Sequence, residues 1–170
     1  MTQHNEPISD FSSEGPAEMP AIAAPHPKET PWLVIRHAAA LYALIAFGSA
    51  IGGVLRAIAS LAVWTDAGPD FPWGTLFVNV TGSFVVGFYA TLTGPGGRLF
   101  AGSHRRQFVM TGICGGYTTF SVFGLETLSL VQAGYLTLAG LNVGVSTVGW
   151  LAAVWLGHIL AANLNRLKGS

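Results

Sequence analysis

Four stretches of the chain, Ala38 to Val63, Trp73 to Thr93, Gln107 to about Val131 and Tyr135 to about Ala162, are long and apolar enough to cross a hydrocarbon core of ~30 Å as helices. Only two charges interrupt them, Arg56 in the first and Glu126 in the third. Inside a bilayer every backbone N–H and C=O must find a partner within the protein. The spans are therefore helical except where irregular backbone is shielded by neighbouring helices. This predicts an all-α membrane protein with four transmembrane helices, a channel-sized domain over residues 36–170, and a disordered tail over residues 1–35. Composition agrees: 51% of the 170 residues are hydrophobic and 9% charged, outside the range of ordinary soluble domains.

The connections set the orientation. Trp64 to Pro72 and Gln132 to Gly134 are short turns without lysine or arginine. Seven of the eight Lys and Arg residues (all but Arg56) lie in the N-terminal tail, in the connection holding Arg98, Arg105 and Arg106, or in the C-terminal tail. Those three regions fall on one side of the membrane, and the positive-inside rule puts both termini in the cytoplasm. The tail carries Glu6, Asp10, Glu14, Glu18 and Glu29 among many prolines and lacks the basic start and apolar core of a signal peptide.

Several classes of function drop out. A net charge of zero and the absence of a basic arm interleaved with aromatics argue against nucleic-acid binding. No histidine pair, paired carboxylates, nucleophile beside a base or phosphate-cradling glycine loop occurs, so no enzyme is expected. Cys114, the lone cysteine, reads as a small packing residue.

What remains is polarity placed where lipid discourages it. Small residues recur four apart at Gly48 and Gly52, Gly112 and Gly116, Gly140 and Gly144, and Gly149, Ala153 and Gly157, a pattern that lets helix backbones approach closely. A bundle this small has little room for an internal pathway, which points to an oligomer. Arg56 is either held in the membrane by a task or snorkels to the interface; Glu126 is either a structural tie or part of an ion site. Thr75, Asn79 and Ser83 succeed one another at four-residue steps on span two. They form a ladder able either to donate to a partly dehydrated anion or to clamp a neighbouring helix. Asn142 and Ser146 repeat the spacing on span four. On span three, Gly115 and Gly116 followed by Thr118 and Thr119 make poor helix, and a local unwinding there would free carbonyls able to bind a cation. Phe120 and Phe123 sit three apart and can offer positive ring edges to an anion.

Taken in order, Gly52-Gly53-Val54-Leu55-Arg56, Gly74 through Phe84, and Gly112 through Phe123 with Glu126 resemble the Fluc (CrcB) fluoride channels. The resemblance runs from about Ala38 to the C-terminus. It implies a fluoride-selective passive channel in the bacterial inner membrane that lets cytoplasmic fluoride leave down its gradient and so confers fluoride resistance. It also implies an antiparallel, dual-topology dimer with two pores along the subunit contact and a structural sodium ion at its centre. By position, Phe120 and Phe123 look like the phenylalanines of the pore, Asn79 like the amide donor beside them, Thr75 and Ser121 like extensions of the polar track, and Arg56 like the vestibule arginine. Gly115 and Thr118 resemble the positions whose carbonyls hold sodium; Asn142, Ser146, Thr119 and Glu126 are further members of the track. Val122 and Asn142 stand where the family commonly has threonine and tyrosine, and the one-sided basic charge suggests either a second copy or an oppositely oriented relative as the partner subunit. The alternatives are a small four-span multidrug exporter, which would want a carboxylate in span one where this chain has Arg56, and a non-conducting structural subunit.

Overall fold

The structure is a computed structural model that describes residues 30–67 and 71–167; the side chains of 64–67 and the expected N-terminal tail up to Glu29 lie outside the described residues. All regular structure in these residues is helical, and four helices or helix chains are long and apolar enough to cross a membrane.

Helix α1 (Pro31–Ala67) begins seven residues ahead of the expected start at Ala38. Proline suits the first helical position because its missing N–H has no helical acceptor there, and the carbonyl of Thr30 accepts from Leu33 N at 2.8 Å. The expected start followed Arg36 and His37, whereas the apolar run begins ahead of them at Trp32. At 37 residues, α1 is about 55 Å long and exceeds a ~30 Å hydrocarbon core, leaving Trp32 and Arg36 free to stack, guanidinium over indole at 4.7 Å, beyond the expected start. Helix α2 (Trp73–Leu92) matches the second span to within one residue.

The third span is discontinuous. Its first half joins α3 (Ser103–Gln107), a π-helical stretch π1 (Phe108–Cys114) and the single turn α4 (Gly115–Tyr117). Thr118 (φ −82°, ψ 155°) and Thr119 (φ −146°, ψ 125°) then run extended before α5 (Phe120–Gln132) resumes. The unwinding expected from Gly115 to Thr119 is present, confined to the two threonines. Helix α5 closes on Gly134, whose φ of +83° suits glycine alone, with Tyr135 N donating to Leu130 O at 2.9 Å. Helix α6 (Leu136–Arg166) returns through the bundle.

Glycines decide which helices touch. A Cβ on Gly48 would meet Phe108 O at 2.9 Å and Gly112 Cα at 3.0 Å, and one on Gly116 would meet Ser49 Cα at 2.8 Å, so α1 lies backbone to backbone against π1 and α4. On the other side α2 packs along α6, where a Cβ on Gly157 would meet Phe88 N at 2.9 Å. Helix α5 rests chiefly on α6 with a lighter contact to α2. At the basic end, Arg98 N donates to Asn165 Oδ1 at 2.9 Å and Asn165 Nδ2 to Thr91 O at 3.1 Å, fastening the α2–α3 connection to the end of α6. Leu61, Val148, Leu151 and Trp155 point outward, as lipid-facing side chains do.

Candidate functional site

The site grows from the two extended threonines. Asn79, buried on α2 with 5% of its surface exposed, faces the break. Its Nδ2 donates to Thr119 O at 2.8 Å, and Thr119 N donates to its Oδ1 at 2.7 Å. One amide side chain thus stands in for the backbone pairing lost where the helix opens, which is the clamp reading of Asn79. Nδ2 carries two hydrogens, and Thr119 O takes one of them.

Thr119 also caps the next helix. Its Oγ1 accepts from Val122 N at 3.2 Å and lies 3.3 Å from Ser121 Oγ. These diversions alter the carbonyls. The N–H four residues beyond Gly115 is that of Thr119, which donates to Asn79; the one beyond Thr118 is that of Val122, which donates to Thr119 Oγ1. The ordinary helical donors to Gly115 O and Thr118 O are both engaged elsewhere. Thr118 itself is anchored backward, its N and Oγ1 each 2.9 Å from Cys114 O.

Beside the break lies a cavity of about 270 Å³, lined by Asn79, Ser83, Thr118, Thr119, Phe120 and Trp150 together with two valines. No charged side chain lines it. Phe123 is buried (7% exposed), whereas Phe120 is 75% exposed. Their rings lie 5.6 Å apart, tilted by 47°. The expected aromatic pair is therefore present, split between core and surface.

Polar residues continue away from the cavity. Thr75 Oγ1 donates to Glu126 Oε1 at 2.9 Å, tying α2 to α5, while Glu126 Oε2 is buried with no partner among the described residues. Asn142 and Ser146, each 1% exposed, form a second ladder on α6: Asn142 Nδ2 donates to Thr127 Oγ1 at 2.9 Å, and Ser146 Oγ to Asn142 Oδ1 at 3.3 Å. Arg56, half-buried on α1, does not line the cavity and has no carboxylate partner among the described residues. The structure thus gathers Asn79, Thr118, Thr119 and Phe120 around one space, joins Thr75 to Glu126 and Asn142 to Ser146 outside its lining, and leaves Arg56 apart.

Sequence reasoning missed three members. Tyr117 holds Thr81 through a 3.0 Å contact between hydroxyls, Thr127 receives Asn142, and Trp150 lines the cavity. Trp150 was detectable: it falls one four-residue step beyond Ser146 on the same helical face.

Amide, hydroxyl and aromatic groups line a cavity beside a break in one of four helices long and apolar enough to cross a membrane, which describes a multi-pass membrane protein with an uncharged internal site. Residues 43–158 match the family described as CrcB-like protein, Camphor Resistance (CrcB), and the chain belongs to that family. It is 63% identical over 136 residues, 80% of this chain and 96% of the relative, to a protein of Rhodopseudomonas palustris (strain BisB18) named Fluoride-specific ion channel FluC 1. A relative of the same name in Bradyrhizobium diazoefficiens is 56% identical over 78% of this chain and 92% of its own length. Fluoride-specific ion channel FluC of Opitutus terrae is also 56% identical, over 76% of this chain and 98% of its own.

Proposed function

We propose that the protein is a passive, fluoride-selective channel that lets cytoplasmic fluoride leave the cell and so confers fluoride resistance. The observation that carries this reading is the uncharged cavity beside the break, where amide, hydroxyl and ring-edge dipoles converge in a chain closely related to fluoride-specific channels. Fluoride is small and strongly hydrated. A fixed cation in its path would trap it, whereas several weak donors in series can replace its water step by step. Asn79 supplies its second N–H, Thr119 and Ser83 their hydroxyls, and Phe120 and Phe123 their positive ring edges. Arg56, outside the cavity, acts on the anion at the vestibule by its field alone.

The working unit is a pair of antiparallel subunits with a pore on each side of their contact. Support comes from surfaces a single subunit leaves open: Phe120 is 75% exposed, and nothing within 4 Å would meet a Cβ on Gly140 or Gly144. The partner is a second copy or, given the one-sided basic charge, an oppositely oriented relative. Gly115 and Thr118 fit a structural sodium ion, because both present carbonyls whose helical donors are engaged elsewhere, and hard oxygen dipoles suit that cation. Bound there, sodium would neutralise the converging carbonyl dipoles of the two breaks.

The test is efflux from liposomes holding only this protein. Fluoride should leave and chloride should not; equal leak of both contradicts selectivity, and absence of leak contradicts conduction by a homodimer.

A further inference from the structure

We infer that the indole N–H of Trp150 is an anion donor of the pathway, one supplied by α6; the inference rests on the fluoride-channel reading and extends its donor set. Asn142, Ser146 and Trp150 succeed one another at four-residue steps, and the first two are fully buried and hydrogen-bonded. Trp150 is the next rung. It reaches the cavity that Asn79 and Ser83 reach from α2, so the ladders of α2 and α6 converge there.

Trp150 differs from its neighbours in one respect. Its Nε1 is buried and no atom of the described residues accepts from it. A buried donor left unpaired costs about 1–3 kcal/mol, and a tryptophan placed only for packing or for anchoring at the membrane surface avoids that cost by turning its N–H to water or to a carbonyl. Trp150 instead stands near the middle of α6 with its ring meeting Phe123 nearly edge-on, centroids 4.9 Å apart at 73°. Indole N–H only donates, so the unused bond can serve an anion and never a cation. The contact with Phe123 joins the indole to the aromatic pair, and because Nε1 itself is sequestered, fluoride in the cavity reaches it as the ring turns toward that space.

Trp150→Phe keeps a ring against Phe123 and removes the N–H. In liposomes fluoride efflux should fall on the order of tenfold relative to wild type, the size expected for one bond to a charged group. On wild-type protein labelled with ¹⁵N at the indoles, the resonance absent from Trp150→Phe should move downfield with sodium fluoride and stay put with sodium chloride, a response that packing alone does not produce. Efflux of Trp150→Phe equal to wild type, or an indole resonance indifferent to fluoride, overturns the assignment. The wild-type efflux measured alongside separates the two readings, because a wild type that does not conduct defeats the channel proposal and not this donor alone.

Discussion

Asn79 and Thr119 are joined at two points, side-chain amide to backbone amide, at 2.8 and 2.7 Å. This is the geometry of a β-ladder pair made by a side chain, and it lets the membrane interior tolerate two extended residues that would otherwise orphan an N–H and a C=O. The same pairing diverts the ordinary helical donor to Gly115 O, so one asparagine both stabilises the break and deprives that carbonyl of its usual partner.

Asn79→Ala should therefore do more than remove a donor. Leaving Thr119 N and O unpaired costs about 1–3 kcal/mol per group, so the variant should lose both fluoride efflux and several degrees of thermal stability in detergent. Asn79→Asp sets an acceptor oxygen opposite Thr119 O where a donor stood, so it should be non-conducting and no more stable than Asn79→Ala. Wild-type melting in both variants, followed by scattering or fluorescence, would show that the clamp contributes nothing.

The two phenylalanines should separate folding from conduction. Phe120 is 75% exposed, so Phe120→Ile should leave the fold of the chain unchanged and depress fluoride efflux. Phe123 is buried against Trp150, and Phe123→Ala should cost about 3–5 kcal/mol of stability as a large-to-small core substitution. Size-exclusion profiles and efflux on the same preparations decide the matter; an unstable Phe120→Ile would contradict its exposed position.

Glycines with the same spacing should differ sharply in cost. A Cβ on Gly52 would meet Tyr117 N at 2.8 Å, and one on Gly116 the backbone of Ser49, so either glycine changed to alanine should force α1 away from α4 and destabilise the fold. Gly140→Ala and Gly144→Ala meet nothing in the subunit and should leave its fold intact; under the dimer proposal they should instead weaken subunit pairing, measured by cross-linking in membranes.

Hydropathy made the spans legible because lipid imposes one rule on every residue of a crossing, but Arg36 and His37 hide the apolar residues Trp32 to Ile35 ahead of them, so Pro31 was not legible as the start of α1. The break was legible because Gly115, Gly116, Thr118 and Thr119 are jointly poor helix formers. Its extent was not, since Asn79, 40 residues earlier, decides which backbone groups are rescued. The π-helical stretch of π1 left no sequence signal; α1 lies close against Gly112 within it. Phe120 and Phe123 were read as one pair because spacing gives a common face; which ring faces inward depends on α6 and Trp150, a contact that only tertiary packing reveals.

The carbonyls of Gly115 and Thr118 yield the last expectation. Converging carbonyl dipoles from two subunits repel unless a cation lies between them, so the proposed dimer should depend on sodium. Exchanging sodium for an organic cation too large for the site during purification should shift the protein toward monomer and abolish fluoride efflux, and restoring sodium should recover both. Because Thr118 is fastened to Cys114 O through its own hydroxyl, Thr118→Val should loosen the turn that aims its carbonyl and raise the sodium concentration needed for half-maximal dimer several-fold, while Thr118→Ser, which keeps the hydroxyl, should stay near wild type. Dimers that assemble and conduct equally well without sodium would remove the ion from the site and leave the two carbonyls as pathway or packing groups.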